Sequence, residues 1–272
     1  MTLLTLIIVV TLGLVLAMTG AWAIQRATGN SGWIDAVWSL ATGAAGVAYA
    51  LVPTADYSPT RRAVLTAVLV GAWSLRLGGH ILMRTAASTA EDPRYAQFRK
   101  EWGATFQIKL FLFLMIQAAA AAILAISVLV AARNPAPGLA WTDGLGALVL
   151  LVAVVGEGVA DAQLRRFKAY GPNRGAICDV GLWAWSRHPN YFFEWFGWLA
   201  YPLIAFDRAG GWPWGWVALG APAFMYYLLR YASGVPPTEE AMARSRGAAF
   251  DDYKRRVSVF FPLPPKTKGV LA

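Results

Sequence analysis

The long apolar segments of this chain restrict its fold more than any other feature. A membrane-spanning helix needs about 20 mostly apolar residues. Seven runs meet this length, at 3–24, 33–52, 62–83, 110–132, 139–160, 190–207 and 212–231. Only 14% of the 272 residues are charged, whereas soluble domains contain roughly 25%. The sequence therefore predicts an all-α polytopic membrane protein with seven transmembrane helices, folded as a single domain over residues 1–272.

The distribution of basic residues between the loops predicts the orientation. Seven spans place 19 of the 24 Lys and Arg residues on one side of the bilayer and four on the other, with Arg76 inside the third span. Because cytoplasmic loops carry the basic excess, the N-terminus is predicted outside and the tail (232–272) in the cytoplasm. The net charge of +9 is then a property of membrane topology, and no nucleic-acid partner is predicted.

Residue counts exclude several kinds of site. Cys178 is the only cysteine, so the chain has no internal disulfide. One cysteine and two histidines cannot build a structural zinc site, and no metal site is predicted. The sequence contains neither the glycine-rich dinucleotide motif nor the P-loop of soluble proteins. A nucleotide would therefore need a site of a membrane-specific kind.

Ionisable side chains within predicted spans are costly and usually mark function. Asp35 begins the second span, and Trp38 shares its helix face. Arg76 and His80 are i, i+4 neighbours on the third span, close to Trp73. A capping or interfacial role for Asp35 and a structural ion pair for Arg76 are the alternative interpretations.

A second polar group lies at the cytoplasmic end of the fifth span. Glu157 and Asp161 are one helical turn apart, and Arg165 and Lys168 follow them. Carboxylates can accept hydrogen bonds from ribose hydroxyls, and neighbouring cations can neutralise phosphates. Together these groups are suited to binding a nucleotide. Salt bridges on a solvated helix end explain the same pattern equally well.

The most specific local pattern is R-H-P-N-Y at 187–191, followed by Glu194. Because proline suits the first position of a helix, Asn190, Tyr191 and Glu194 are predicted in the first two turns of one. A helix N-terminus with an amide, a phenol and a flanking Arg and His is suited to an anionic ligand.

The tail completes a pattern that resembles a known family. R-H-P-N-Y with an acid three residues after the Tyr, followed by Glu239-Glu240, Tyr253, Arg256 and Phe261-Pro262, is similar to the steroid 5α-reductase and sterol C14-reductase superfamily. The segments D-A-V-W at 35–38, E-D-P-R-Y at 91–95 and S-G-V-P at 233–236 resemble its bacterial branch of uncharacterised function. The resemblance covers nearly the whole chain, from the second span to Pro262.

This resemblance implies a reductase of the bacterial inner membrane that uses NADPH on the cytoplasmic side. Such an enzyme transfers a hydride to an activated C=C bond of a steroid-like or other lipid substrate. The motif matches and the neighbouring polar groups together give the candidate cofactor-binding residues Glu157, Asp161, Arg165, Lys168, Arg187, His188, Asn190, Tyr191, Glu194, Arg230, Tyr253 and Arg256.

The substrate end departs from the steroid enzymes, because their Gln-Glu pair is missing from the first two spans. Steroid specificity is therefore not implied. Reduction of an enone needs an acid near the carbonyl oxygen. The candidate catalytic residues are Asp35, Arg76 and His80, and the candidate substrate contacts are Trp38, Trp73 and Tyr95. Residues 91–95 are predicted either to close the cytoplasmic mouth or to form a solvated polar turn.

Two other functions remain open at this point. Isoprenylcysteine carboxyl methyltransferases and phospholipid methyltransferases, which use S-adenosylmethionine, share R-H-P-x-Y and a Glu-Glu pair. Asn190 and Glu194 favour the reductase, whereas Glu239-Glu240 is compatible with both. In a non-catalytic lipid-binding or transport protein, the polar residues of the spans would serve only packing. The sequence does not predict the oligomeric state.

Overall fold

The computed structural model describes residues 1–87, 91–173 and 175–266, and no β-strand lies among them. The α-helices are α1 (Leu3–Thr28), α2 (Gly32–Leu51), α3 (Arg61–Ala86), α4 (Pro93–Trp102), α5 (Phe106–Ala132), α6 (Trp141–Ala169), α7 (Pro189–Trp198), α8 (Ala200–Ala205), α9 (Gly220–Tyr227), α10 (Val235–Arg246) and α11 (Ala248–Arg256). Short 3₁₀ segments lie at Gly103–Thr105, Gly171–Asn173, Gly181–Ala184 and Pro213–Leu219, and a π-helical turn at Leu228–Ala232.

Five helical segments within the described residues are long and apolar enough to cross a membrane. They are Leu3–Thr28, Gly32–Leu51, Arg61–Ala86, Arg94–Ala132 and Trp141–Ala169. Each of these segments contains all or nearly all of one of the first five predicted spans. The prediction of an all-α membrane protein is thus confirmed.

The sixth predicted span, 190–207, is not one long helix. It is divided at Leu199 into α7 and the six-residue α8. Pro202 lies in the first turn of α8, where it has no N–H with which to continue a helix from α7. An apolar run of sufficient length therefore does not form an uninterrupted helix here.

The seventh predicted span, 212–231, is also divided. It begins as a 3₁₀ segment at Pro213, continues as α9 and ends in the π-helical turn. Pro222 has no N–H to donate to the carbonyl of Ala218, four residues earlier. Ser127 of α5 supplies a donor instead, since its hydroxyl lies 3.1 Å from that carbonyl oxygen. Proline thus explains the break in the sixth run and the missing backbone hydrogen bond in the seventh.

The chain divides into two compact units. The first unit comprises Met1–Leu148 and Leu199–Pro222, and the second comprises Val149–Trp198 and the described residues from Ala223 onward. In the first unit α2 packs closely on α3, because Gly43 leaves no room for a side chain: a Cβ there would lie 2.1 Å from Ser74. Close approach at small residues is common between membrane helices.

A buried ion pair fixes the start of α3 in the first unit. Arg62 Nε donates to Asp143 at 2.7 Å, and both side chains are at most 3% exposed. The two Nη atoms of Arg62 donate to a second Asp143 oxygen and to the carbonyls of Asn134, Ala136 and Gly138, at 2.7–3.0 Å. All five donor hydrogens of the guanidinium therefore have acceptors.

In the second unit, the segment predicted only as a cytoplasmic tail contains two helices, α10 and α11. Hydrogen bonds hold this segment against the residues that precede α7. Ser186 Oγ donates to the carbonyl of Phe260 at 2.8 Å. The backbone N–H of Arg187 donates to the carbonyl of Ser258, also at 2.8 Å. The tail is thus an integral part of the second unit.

Candidate functional site

The R-H-P-N-Y segment and the Glu-Glu pair of the tail meet in the second unit. Glu239 Oε1 accepts a hydrogen bond from Arg187 Nε at 2.7 Å and lies 3.1 Å from His188 Nε2. Nη1 of Arg187 donates to the carbonyls of Val257 at 2.7 Å and Lys254 at 3.3 Å. One carboxylate thus fixes two neighbouring side chains of the motif.

Tyr191 and Thr238 extend this arrangement. The ring of Tyr191 stacks on that of His188, with centroids 5.3 Å apart and planes 3° from parallel. Thr238 donates its hydroxyl to the carbonyl of Gly234 at 2.9 Å, so the Tyr191 hydroxyl is the donor in its 3.2 Å contact with Thr238 Oγ1. We call Arg187, His188, Tyr191, Thr238 and Glu239 the Glu239 cluster.

The sequence around Pro189 explains how the cluster forms. Pro189 is the first residue of α7, a position where its missing N–H costs nothing. The N–H of His188 donates to the buried Ser186 hydroxyl at 3.1 Å. His188 is therefore held immediately before α7, and Tyr191 lies one turn into the helix on the same side.

The cluster changes the protonation of two of its members. Burial lowers the pKa of His188 below 6.5, and the opposing effect of the Glu239 carboxylate is smaller. Burial raises the pKa of Glu239, but hydrogen bonds from His188 and Arg187 outweigh it and lower the value to about 2. At neutral pH a neutral His188 with its proton on Nε2 therefore donates to an ionised Glu239.

We expect the stability of the protein to fall as the pH is lowered from 7 to 5. A histidine whose pKa is lowered by folding contributes stability that is present above pH 6.5 and is lost as the pH falls towards its folded-state pKa. Glu239 contributes in the same direction at lower pH, between 4.5 and about 2. His188→Gln should make the melting temperature less dependent on pH between 7 and 5.

The matched control is Asn173→Ala, because it removes from the same unit a side chain that does not titrate and that donates to the Phe167 carbonyl at 3.1 Å. That variant should retain the wild-type pH dependence of the melting temperature. An unchanged pH dependence in His188→Gln would contradict the assignment.

The acidic and basic candidates of α6 follow one another towards the C-terminal end of the helix. Glu157 is buried, Asp161 is half-buried, and Arg165 and Lys168 are exposed. Gly156 lets α7 approach closely here, since a Cβ at this glycine would lie 2.4 Å from the Phe193 ring. This end of α6 therefore presents cations to the surroundings and keeps one carboxylate inside.

Two candidates of α7 lie in and just after its first turn. Asn190 is half-buried, and Glu194 is buried with its Oε1 accepting from Trp198 Nε1 at 3.1 Å. Arg230 lies in the π-helical turn, with its guanidinium 4.9 Å from the centroid of the Tyr231 ring.

Tyr253 and Arg256, the two candidates of the tail, bond to the protein itself. Tyr253 is buried and donates its hydroxyl to the Trp183 carbonyl at 2.5 Å. Arg256 pairs with Asp252 at 2.9 Å and with Asp179 at 3.4 Å. These contacts stabilise the fold of the tail, a role that the motif match alone does not reveal.

In the first unit, Asp35 is the centre of a second polar group. Tyr95 donates its hydroxyl to Asp35 Oδ1 at 3.1 Å, and Arg94 pairs with Asp35 Oδ2. Arg94 is oriented by Asp92, whose Oδ1 accepts from Arg94 Nε at 3.0 Å. Asp35 lies in the first turn of α2, after the N-cap residue Ser31, so the capping interpretation is wrong. We call Asp35, Asp92, Arg94 and Tyr95 the Asp35 cluster.

The E-D-P-R-Y segment is not a solvated turn. Tyr95 is only 2% exposed, and the Glu91 carboxylate accepts from the Ser31 N–H at 2.8 Å. Asp92 is the N-cap of α4, and its Oδ1 accepts from the Arg94 N–H at 3.0 Å. The segment therefore attaches α4 to the start of α2.

The remaining candidates of the first unit lie on α2 and α3. Trp73 is buried, whereas Arg76 and His80 are half-buried and one turn apart on α3. Trp38 is half-buried on α2 and donates its indole N–H to the Gln117 carbonyl of α5 at 3.0 Å.

The sequence interpretation missed three important partners. Glu239 and Thr238 lie about 50 positions from the motif that they fix, and Arg94 pairs with Asp35 across a similar separation. The Glu-Glu pair was the only available signal for the first two. For Arg94 the signal was the E-D-P-R-Y pattern, which marks the segment but not its partner.

The family model described as "Protein of unknown function (DUF1295)" matches residues 21–257. This range contains both the Glu239 cluster and the Asp35 cluster. No curated protein and no solved structure matches the chain.

Proposed function

The chain belongs to the DUF1295 family, which is related to the steroid 5α-reductase-like proteins, and from this premise we propose that it is an NADPH-dependent membrane reductase. It would transfer a hydride to an activated C=C bond of a lipid enone. The observation that carries the proposal is the Glu239 cluster, in which residues of the nucleotide motif are fixed in place by the tail. Because the donors of the cluster bond within the protein, the cluster serves to fix the start of α7, and a helix N-terminus is suited to a phosphate-bearing cofactor.

The residues of the second unit fit NADPH by their chemistry. Arg165 and Lys168 on α6 and Arg230 after α9 would neutralise phosphates. Asn190 and Asp161 are half-buried polar groups suited to ribose hydroxyls or a ring amide. The cofactor supplies the hydride, and the protein residues hold and orient it.

The proposed orientation places these cofactor-binding residues on the cytoplasmic side. With seven crossings, the 19-to-4 distribution of basic residues favours an outside N-terminus and a cytoplasmic tail. Residues 161–188 and the tail then lie where NADPH is available. The bacterial inner membrane is the proposed location.

A reductase of this kind also needs a proton donor, and the first unit offers one in the Asp35 cluster. Both carboxylate oxygens of Asp35 accept hydrogen bonds, one from Arg94 and one from Tyr95, so Asp35 acts as an acceptor. Tyr95 carries the hydroxyl that Asp35 orients. We therefore propose Tyr95 as the proton donor: its single hydroxyl hydrogen would leave the hydrogen bond to Asp35 and turn to the bound substrate, and Asp35 has the role of positioning the phenol.

Nucleotide binding gives the direct test of this function. A ligand that binds only the folded state raises stability by about 2.7 kcal/mol at 100 times its Kd, which corresponds to roughly 5–10 °C in melting temperature. We expect this shift with NADPH in detergent solution, a smaller one with NADH and none with S-adenosylmethionine. Asn190→Ala should abolish the shift without lowering the melting temperature of the ligand-free protein by more than a few degrees.

The control is Gln97→Ala, which removes from α4 a side-chain amide that is half-buried, like Asn190, and that donates to Glu101 at 2.7 Å. Its shift with NADPH should equal that of the wild type. No shift with NADPH at any concentration would overturn the reductase proposal.

One observation favours a second candidate, an S-adenosylmethionine-dependent methyltransferase. The structure brings Glu239 of the Glu-Glu pair to Arg187 and His188, and the methyltransferases that share R-H-P-x-Y also have such a pair. A thermal shift with S-adenosylmethionine but not with NADPH would establish this candidate instead.

A further inference from the structure

A shallow basic groove crosses the end of the tail in the second unit. It has a volume of about 360 Å³, and its cationic lining residues are Arg187, Lys254, Arg255, Arg256 and Lys266. The chain after α11 forms one wall, because the Lys266 N–H donates to the Arg256 carbonyl at 2.9 Å. The groove is therefore part of the folded tail.

Carboxylates hold some of these cations without neutralising all of them. Asp251 pairs with Lys254, and Asp252 pairs with Arg255 and Arg256, which Asp179 also contacts. Arg255 uses one nitrogen in its described pair, and its side chain is 71% exposed. The other guanidinium nitrogens of Arg255, together with the exposed Lys266, are suited to binding a phosphate group.

Exposed apolar side chains adjoin the groove at Leu263, which lines it and is 55% exposed. The Leu263 N–H donates to the Trp185 carbonyl at 3.0 Å, and Trp185 and Phe261 are 46% and 42% exposed. We call these three side chains the apolar rim. Phe261 also packs against Phe192 and Trp195 of α7, at centroid distances of 6.0 and 5.5 Å. Exposed aromatic side chains beside cations are characteristic of the interface between membrane and water.

We propose that the basic groove binds the headgroup of an anionic phospholipid, while the apolar rim inserts among the adjacent acyl chains. The charge of the groove complements the phosphate, and the rim supplies the apolar contact that a free anion would not use. Embedding in a membrane keeps this ligand within reach. The groove shares Arg187 and Arg256 with the candidate cofactor-binding residues, so the test includes competition by NADPH.

The test uses the full chain in detergent with short-chain phosphatidylglycerol as the probe. The matched probes are the phosphatidylcholine of equal chain length and inorganic phosphate. Each basic residue near an anionic surface contributes a factor of about five, so Arg255→Gln with Lys266→Gln should weaken phosphatidylglycerol binding roughly 25-fold. The control pair Arg244→Gln and Arg246→Gln removes the same charge from exposed positions of α10 and should change affinity less than about twofold.

Three results would overturn the proposal: equal binding of phosphatidylcholine, equal binding of inorganic phosphate, or competition by NADPH, which would assign the groove to the nucleotide. If the double variant does not fold, the salt dependence of the wild type decides. Binding should weaken about tenfold or more between low and high ionic strength because exposed charges are screened. Salt-independent binding would contradict the proposal.

Discussion

Replacing Arg62 with methionine should lower the melting temperature of the protein by roughly 10 °C. Arg62 and Asp143 are almost completely buried, and the guanidinium also satisfies three backbone carbonyls. Removing one partner of a buried ion pair costs about 3–5 kcal/mol, because the other charge remains without compensation. At this chain length 1 kcal/mol corresponds to about 2–4 °C. Thermal unfolding in detergent measures the effect.

The adjacent residue provides the control. Arg61 is exposed, so Arg61→Met removes the same charge from the same helix turn and should shift the melting temperature by no more than about 2 °C. Combining Arg62→Met with Asp143→Leu removes both charges and should restore part of the lost stability. Equal effects of Arg61→Met and Arg62→Met would show that burial of the pair does not matter.

Arg62 also illustrates what the sequence does not reveal about the fold. The positive-inside rule treats it as one of four basic residues on the outer side, equivalent to Arg61. In the structure it is buried and bonds to the loop that precedes α6. Its burial depends on Asp143, 81 positions away, and no local pattern contains that information.

The long helices are predictable, whereas the interrupted segments are not. Five apolar runs correspond to five continuous helices because burial in lipid rewards backbone hydrogen bonding at every residue. Hydropathy does not depend on whether a residue has a backbone N–H. The runs at 190–207 and 212–231 are therefore as apolar as a spanning helix, although Pro202 and Pro222 lie within them. A proline within an apolar run therefore marks a position at which a predicted spanning helix can be divided.

The candidate site was predictable in its motif but not in its partners. The R-H-P-N-Y motif names Arg187, His188 and Tyr191, and the structure holds them together because they are close along the chain and Pro189 begins the helix. Glu239 joins them only through the fold of the tail. Local pattern therefore identifies the residues of a site more readily than the contacts that hold them.

Replacing Tyr95 with phenylalanine should reduce turnover of a lipid enone roughly 100- to 10,000-fold, which is the usual contribution of a positioned acid. The variant retains the buried ring and loses only the hydroxyl that donates to Asp35. Loss of one hydrogen bond costs about 1 kcal/mol of stability, so the protein should remain folded. NADPH oxidation with a lipid enone measures turnover, and the NADPH-induced thermal shift should be unchanged.

Tyr57→Phe is the matched control in the same unit. Its hydroxyl donates to the Ala50 carbonyl at 3.0 Å, so the variant loses a comparable hydrogen bond at a position without a catalytic assignment. Turnover should then remain close to that of the wild type. If Tyr95→Phe and Tyr57→Phe retain equal activity, Tyr95 only supports Asp35 and the proton comes from another group. If Tyr95→Phe also loses the NADPH-induced shift, its defect lies in cofactor binding rather than in proton transfer, because a proton donor is not needed to hold the nucleotide.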